Sequence, residues 1–225
     1  MSTPEHEHSH DQSHQHDDAD FRPTPTTDAE WDAWYADREQ VWSGAPNNAL
    51  EVEVANLAAG RVLDVGCGEG ADAVWLAKRG WTVTALDVAE TAINRSRAAA
   101  RANDVDITWV QSGLREADLA AASFDLVSAF YPVLLRTDEQ LAERKLMSLV
   151  APGGLLLVVH HADIDLATAQ SHGWNPEDYV SPDEVAAALD AAWEIESHEK
   201  RPRTISGGGG AEHDTDLVLR ARKIR

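Results

Sequence analysis

The chain has 225 residues, 43% of them hydrophobic, which is enough for one α/β domain with short extensions. Its formal net charge of −20 repels phosphate backbones, so nucleic acid is not expected as a partner. The lone cysteine, Cys67, excludes a disulfide framework and a thiolate zinc site, and no run of about 18 apolar residues marks a membrane span. The acidic start is the reverse of a signal peptide, so the expectation is a cytoplasmic protein with no membrane partner.

Residues 1–20 hold six acids, no Lys or Arg, and His6, His8, His10, His14 and His16. So polar a stretch cannot bury a core and is expected to be a disordered, solvated tail. Residues 21–60 are expected to form an N-terminal helical lid segment. Trp31, Trp34, Tyr35 and Arg38 recur at spacings of three and four, which predicts a helix over 28–42. Val41–Asn47 reads as a loop, and Asn47 or Asn48 caps a second helix running to about Ala58.

From Arg61 to the end, residues 61–225, strands and helices alternate. Strands are predicted at 61–65, 81–86, 106–111, 124–129 and 154–160, and helices at 71–79, 89–103, 138–150 and 182–190. Thr137–Gln140 and Ser181–Glu184 both read as capping boxes. Alternation of this kind implies a mostly parallel sheet with helices on both faces. Trp193–Lys200 and Thr215–Ala221 are strand-like, with only polar residues and the Gly207–Gly210 loop between them. No helix fits that connection, so this pair is expected to be antiparallel.

The chemistry concentrates in Val62-Leu63-Asp64-Val65-Gly66-Cys67-Gly68-Glu69-Gly70, a buried strand running into a glycine turn that opens a helix. Glycines let the backbone turn tightly and bring its N–H groups close to a ligand. The next strand ends in Asp87, a carboxylate placed to accept from both hydroxyls of a ribose. In an open α/β sheet the ligand lies beyond the carboxyl ends of the strands. That rule gathers Asp64–Gly70, Asp87-Val88, Ser128–Tyr131 and His160-His161. Gly66-x-Gly68-x-x-Ala71 also fits a dinucleotide fingerprint, so a nicotinamide-dependent dehydrogenase is one alternative. Asp64 argues against it, because a carboxylate that near repels a pyrophosphate and attracts a cationic amino-acid portion.

VLDVGCGEG, VTALDVAE, FDLVSAF and LVAPGGLLLVV, in that order, resemble the motifs of class I S-adenosylmethionine-dependent methyltransferases over roughly residues 40–223. WDAWYADREQVWSGAPNNAL is similar to the front of the branch holding bacterial tellurite-resistance and thiopurine S-methyltransferase-like proteins. The resemblance implies a Rossmann-like, seven-stranded, mostly parallel sheet with the last strand antiparallel. It implies S-adenosyl-L-methionine as cofactor and a small-molecule acceptor, with a thiol or another heteroatom methylated. Gly66, Cys67, Gly68 and Gly70 would pass close to the methionine part, with Asp64 orienting the turn. Asp87 would take the ribose hydroxyls, and Val88 would pack beside the adenine. Gly113 stands where the family has an acid for the adenine amine. Backbone around Gly113-Leu114, or the Ser112 hydroxyl, would substitute. Ala129 would lie near the sulfonium.

Ser128-Ala129-Phe130-Tyr131-Pro132 lacks the Asn/Asp-Pro-Pro-aromatic motif typical of methylation of base amines. His160, His161, Tyr131 and Asp163 are the candidates for a catalytic base, with histidine best matched to neutral pH. Trp42 is the expected lid contact and Trp174 the expected lining of the substrate mouth. No metal is expected. A non-catalytic cofactor-binding protein of the same fold is the other alternative.

Overall fold

The computed structural model describes residues 25–171, 173–204 and 213–225. The expected tail at 1–20 and the Gly207–Gly210 loop lie outside the described residues. The strands are β1 (Arg61–Val65), β2 (Thr82–Asp87), β3 (Thr108–Gln111), β4 (Phe124–Phe130), β5 (Val150–His161), β6 (Trp193–Pro202) and β7 (Thr215–Lys223). They form one sheet in the order β3-β2-β1-β4-β5-β7-β6.

Neighbours from β3 through β5 pair parallel, while β7 runs antiparallel to both β5 and β6. The expected antiparallel pair is therefore present, with the chain's last strand inserted between β5 and β6. The order reverses between β1 and β4, which opens a crevice at their carboxyl ends. Four of the five residues in β1 and six of the seven in β4 are buried, as a strand covered on both faces requires.

The helices are α1 (Asp28–Ala36), α2 (Asn48–Val54), α3 (Ala71–Ala77), α4 (Glu90–Ala102), α5 (Leu141–Leu149), α6 (Leu166–Ser171) and α7 (Pro182–Ala188). Two apolar clusters occupy the two faces of the sheet. Leu63, Val127, Leu156 and Leu219 meet α5 and α7 through Leu146 and Val185. Leu126, Leu157 and Val159 meet α2, α3 and α4 through Leu50, Leu76 and Ile93. Alternation along each strand assigns neighbouring residues to opposite cores.

Two local expectations change, and one helix is new. The first helix stops at Ala36 rather than running to 42. Its start is well capped, with Thr27 and Glu30 forming a reciprocal box, but Val41 and Trp42 give their amides to Glu69 instead of to a helix. The box at 137–140 does not form. Gln140 is left-handed at φ 54° and caps without its side chain, while Thr137 Oγ1 accepts from Leu141 N at 3.0 Å. The Ser181–Glu184 box forms as expected. Helix α6, between β5 and α7, was not expected, although Asp165 caps its start, Oδ1 accepting from Thr168 N at 2.7 Å.

Candidate active site

The glycine turn leaves β1 at Gly66 and is stapled to β2, where Leu86 O accepts from Gly66 N at 2.8 Å and Cys67 N at 2.9 Å. Gly70 sits at φ 85° just before α3, and a Cβ there would lie 1.8 Å from Ser96 Oγ. Only glycine lets α4 approach so closely. Gly66 differs: it has φ 70°, and an added Cβ would meet nothing within 4 Å. Its backbone therefore faces open cavity. Asp87 locks the far side of the turn, with Oδ2 accepting from Gly68 N at 2.8 Å and Oδ1 from Ala89 N at 2.9 Å.

Three buried carboxylates surround this turn: Asp64, Asp72 and Asp87. Burial raises the pKa of all three, and the charges of Asp72 and Asp87 raise Asp64 further. Asp72 is pushed up to about 6, against the opposing pull of Asn47, whose N and Nδ2 both donate to it at 2.7 Å. Asp64 Oδ2 is buried without a hydrogen-bond partner. An unpaired buried carboxylate oxygen is costly, and it points to a ligand donor or cation.

The front segment closes over the turn. Glu69 accepts from Val41 N, Trp42 N at 2.9 Å and Arg95 Nη1 at 2.8 Å. The same guanidinium donates to Tyr35 O and Arg38 O, tying α1 to α4. Trp42 Nε1 donates to Tyr35 OH at 3.0 Å, and a Cβ on Gly68 would lie 3.0 Å from each of those atoms.

Opposite the acids stands a second polar group. Tyr131 OH donates to Asp216 Oδ2 at 2.7 Å and accepts from Arg203 Nε at 3.0 Å. Burial, and then the Asp216 charge, push the Tyr131 hydroxyl pKa up, so it stays protonated. His161 Nδ1 lies 3.3 Å from Asp216 Oδ1. Between the two groups is a cavity of roughly 260 Å³, lined by the 64–72 turn, Trp31, Tyr35, Trp42, Ser112, Leu114, residues 130–134, His161 and Arg203.

A family model described as a methyltransferase domain matches residues 62–154. The ubiquinone biosynthesis O-methyltransferase of Methylocella silvestris is 30% identical over 183 residues, covering 73% of this chain and 71% of that protein. The chain belongs to the methyltransferase family. It spans 55% and 61% of the length of other curated methyltransferase relatives that it matches at 35% identity. One solved structure concerns the conversion of a disulfide bond into a thioacetal group during echinomycin biosynthesis. It aligns at TM-score 0.69 and 25% identity, covering 87% of this chain and 91% of that one. An N-methyltransferase from Bradyrhizobium japonicum, solved with S-adenosyl-L-homocysteine, shares the fold at TM-score 0.57 and 22% identity, covering 78% and 84%.

In this member of the family, Asp64, Gly66, Cys67, Gly68, Gly70, Asp87, Val88, Leu114, Tyr131, His161 and Trp42 all line the cavity. Gly113, Ala129, His160 and Trp174 do not. Ala129 is fully buried within β4 and packs into the sheet core. Gly113 faces the Glu116 carboxylate, 2.5 Å from where its Cβ would be. His160 and His161 alternate along β5, so only one can face the cavity. His160 stacks near Trp174, rings 6.3 Å apart and 11° from parallel, and burial drops its pKa to about 4. Asp163 is exposed and paired with Lys200.

Sequence reasoning missed Glu69, Asp72, Arg95, Arg203 and Asp216. Glu69 and Asp72 stood beside the glycines but carried no expected role. Arg203 and Asp216 reach the site only through the β6–β7 pairing, which leaves no local motif.

Proposed function

We propose that this chain is an S-adenosyl-L-methionine-dependent methyltransferase acting on a small-molecule acceptor at a thiol or another heteroatom. The observation that carries the reading is the partnerless buried oxygen of Asp64 beside the open backbone of Gly66. The residues fit the cofactor. Asp64 suits a cationic amino-acid end, and Asp87 retains acceptor capacity for ribose hydroxyls after its two backbone bonds. Trp31, Tyr35 and Trp42 add aromatic faces, which attract a sulfonium. When bound, the cofactor supplies an electrophilic methyl group.

The chain's own part is to position the acceptor and exclude water. The Tyr35–Trp42 pair covers the turn, and Glu69 holds it there. The apolar side chains at 130 and 132–134 form a wall for the acceptor's body. The net charge of −20 disfavours a nucleic-acid acceptor. An acceptor sulfur is in keeping with the disulfide-to-thioacetal conversion named for the relative at 25% identity.

Calorimetry with S-adenosylmethionine, S-adenosylhomocysteine and NAD tests the cofactor. Heat with the first two and none with NAD is expected, and heat with NAD alone sinks the reading. Transfer of labelled methyl to a panel of small thiols, phenols and amines tests the reaction. Tight cofactor binding without transfer to any acceptor favours a non-catalytic binding protein instead.

A further inference from the structure

We propose that His161, held by Asp216, is the general base for the acceptor, and that the acceptor enters with its heteroatom protonated, as a thiol or phenol. This rests on the methyltransferase reading above and adds the acceptor class to it.

Register builds the pair. In the antiparallel β5–β7 ladder, His161 lies directly opposite Asp216, so the carboxylate meets the imidazole from the neighbouring strand. The contact is Nδ1···Oδ1 at 3.3 Å, with 12% of the His161 side chain and 5% of the Asp216 side chain exposed. An ionised carboxylate only accepts hydrogen bonds, so Nδ1 must carry the proton. A neutral His161 then presents the lone pair of Nε2, which meets no hydrogen-bond partner among the described residues. The ring is stacked 4.2 Å from Tyr131 and 4.1 Å from His213, which fixes its plane.

Other charged and titratable groups face the pair from several elements. Tyr131 follows β4 and gives its hydroxyl to Asp216. Arg203 follows β6, with Nε 3.9 Å from Asp216 Oδ2. His160 and His213 complete the set. Tyr131 and Arg203 hold Asp216 Oδ2, which leaves Oδ1 to the imidazole. Tyr131 and Asp216 are positioning residues, since the acceptor meets His161.

Free thiols and phenols have pKa values of roughly 8.5 and 10, so both are mostly protonated at neutral pH and need a base. The proton of the acceptor heteroatom passes to His161 Nε2, and its bonding pair stays on the heteroatom. That pair forms the new bond to carbon as the carbon–sulfur bond of the methyl donor breaks, leaving its electrons on sulfur. The imidazolium, held by Asp216, returns the proton to water.

The test uses the full chain. Long-range proton–nitrogen NMR of His161 at pH 7–9 should show the Nδ1–H tautomer with Nε2 bare, and an Nε2–H tautomer overturns the proposal. In methyl transfer to the thiol and phenol panel, His161→Gln should lose about 10²- to 10⁴-fold in kcat with KM little changed. Equal turnover overturns it. Asp216→Asn should weaken the preference for the Nδ1–H tautomer in the same NMR measurement and lower kcat with KM little changed. An unmoved tautomer preference overturns the coupling. Circular dichroism checks that each variant folds. If wild type methylates amines but no thiol or phenol, the acceptor class is wrong. If S-adenosylmethionine does not bind at all, the parent reading fails instead.

Discussion

Glu69→Gln tests whether one carboxylate holds the front segment on the glycine turn. The side chain is only 12% exposed and accepts from Val41 N, Trp42 N and Arg95 Nη1. Glutamine keeps the shape and one oxygen. It loses the Arg95 bond, because a carboxamide nitrogen cannot accept, and leaves at best a neutral acceptor for the two amides. Bonds to a charged group are worth about 1.5–3 kcal/mol and neutral ones about 0.5–1.5. Losing one and weakening the others costs about 3 kcal/mol, a factor of roughly 100 in the closed-to-open ratio of the segment. Amide hydrogen exchange reads that ratio directly. Val41 and Trp42 should exchange about 100-fold faster, while Val62 and Leu63 in β1 keep their protection. Unchanged protection at Val41 and Trp42 refutes the clamp, and equal acceleration in β1 shows a global loss instead. Arg95→Met should produce a similar opening, and the double variant less than the sum.

Gly68→Ala places a Cβ 3.0 Å from Trp42 Nε1 and Tyr35 OH at a strained φ of 50°, so the Tyr35–Trp42 pair must give way by a few tenths of an ångström. Calorimetry should show S-adenosylmethionine bound at least tenfold more weakly, and full affinity refutes the seating. Asp87→Ala should weaken the same binding by about 1–3 kcal/mol, the scale of lost charge-assisted bonds, and unchanged affinity removes the ribose role. Asp72 rises from 3.8 to about 6 on folding, so between those values the folded state holds more proton than the unfolded. Its contribution therefore destabilises the fold as pH rises from about 4 to about 6, by on the order of 3 kcal/mol. The stability difference between wild type and Asp72→Asn, read by urea denaturation, should shift in favour of the variant across that window. A flat difference refutes the shift.

The parallel core was legible because strands buried on both faces write continuous apolar runs, as Val62–Val65 and Phe124–Phe130 do. The turn was legible because only glycine tolerates the contacts at Gly68 and Gly70. The acid wall was half legible: Asp64 and Asp87 end strands, a position with a rule behind it. Asp72 and Glu69 lie on the same turn but act through Asn47, Arg95 and the 41–42 amides, partners up to 28 residues away. The His161–Asp216 pair spans 55 residues and exists only through strand register, which no local pattern encodes. The choice between His160 and His161 needed the side-chain alternation at the end of β5, where either residue was an equal candidate.

Three buried carboxylates around one turn are an expensive way to build a loop. Each pays desolvation, and Asp72 and Asp87 add like-charge repulsion at Asp64. Backbone amides compensate Asp87, and Asn47 compensates Asp72, but nothing among the described residues compensates Asp64 Oδ2. Under the function proposed above, that residual cost is the source of the site's selectivity. A cation entering beside Gly66 relieves it, whereas a pyrophosphate at the same place adds repulsion in a medium that screens poorly. Under that proposal, a turn geometry that two cofactor classes fit is sorted by charge. Arg203, a cation lining the opposite wall of the cavity, is engaged with Tyr131 and Asp216 rather than with the acids.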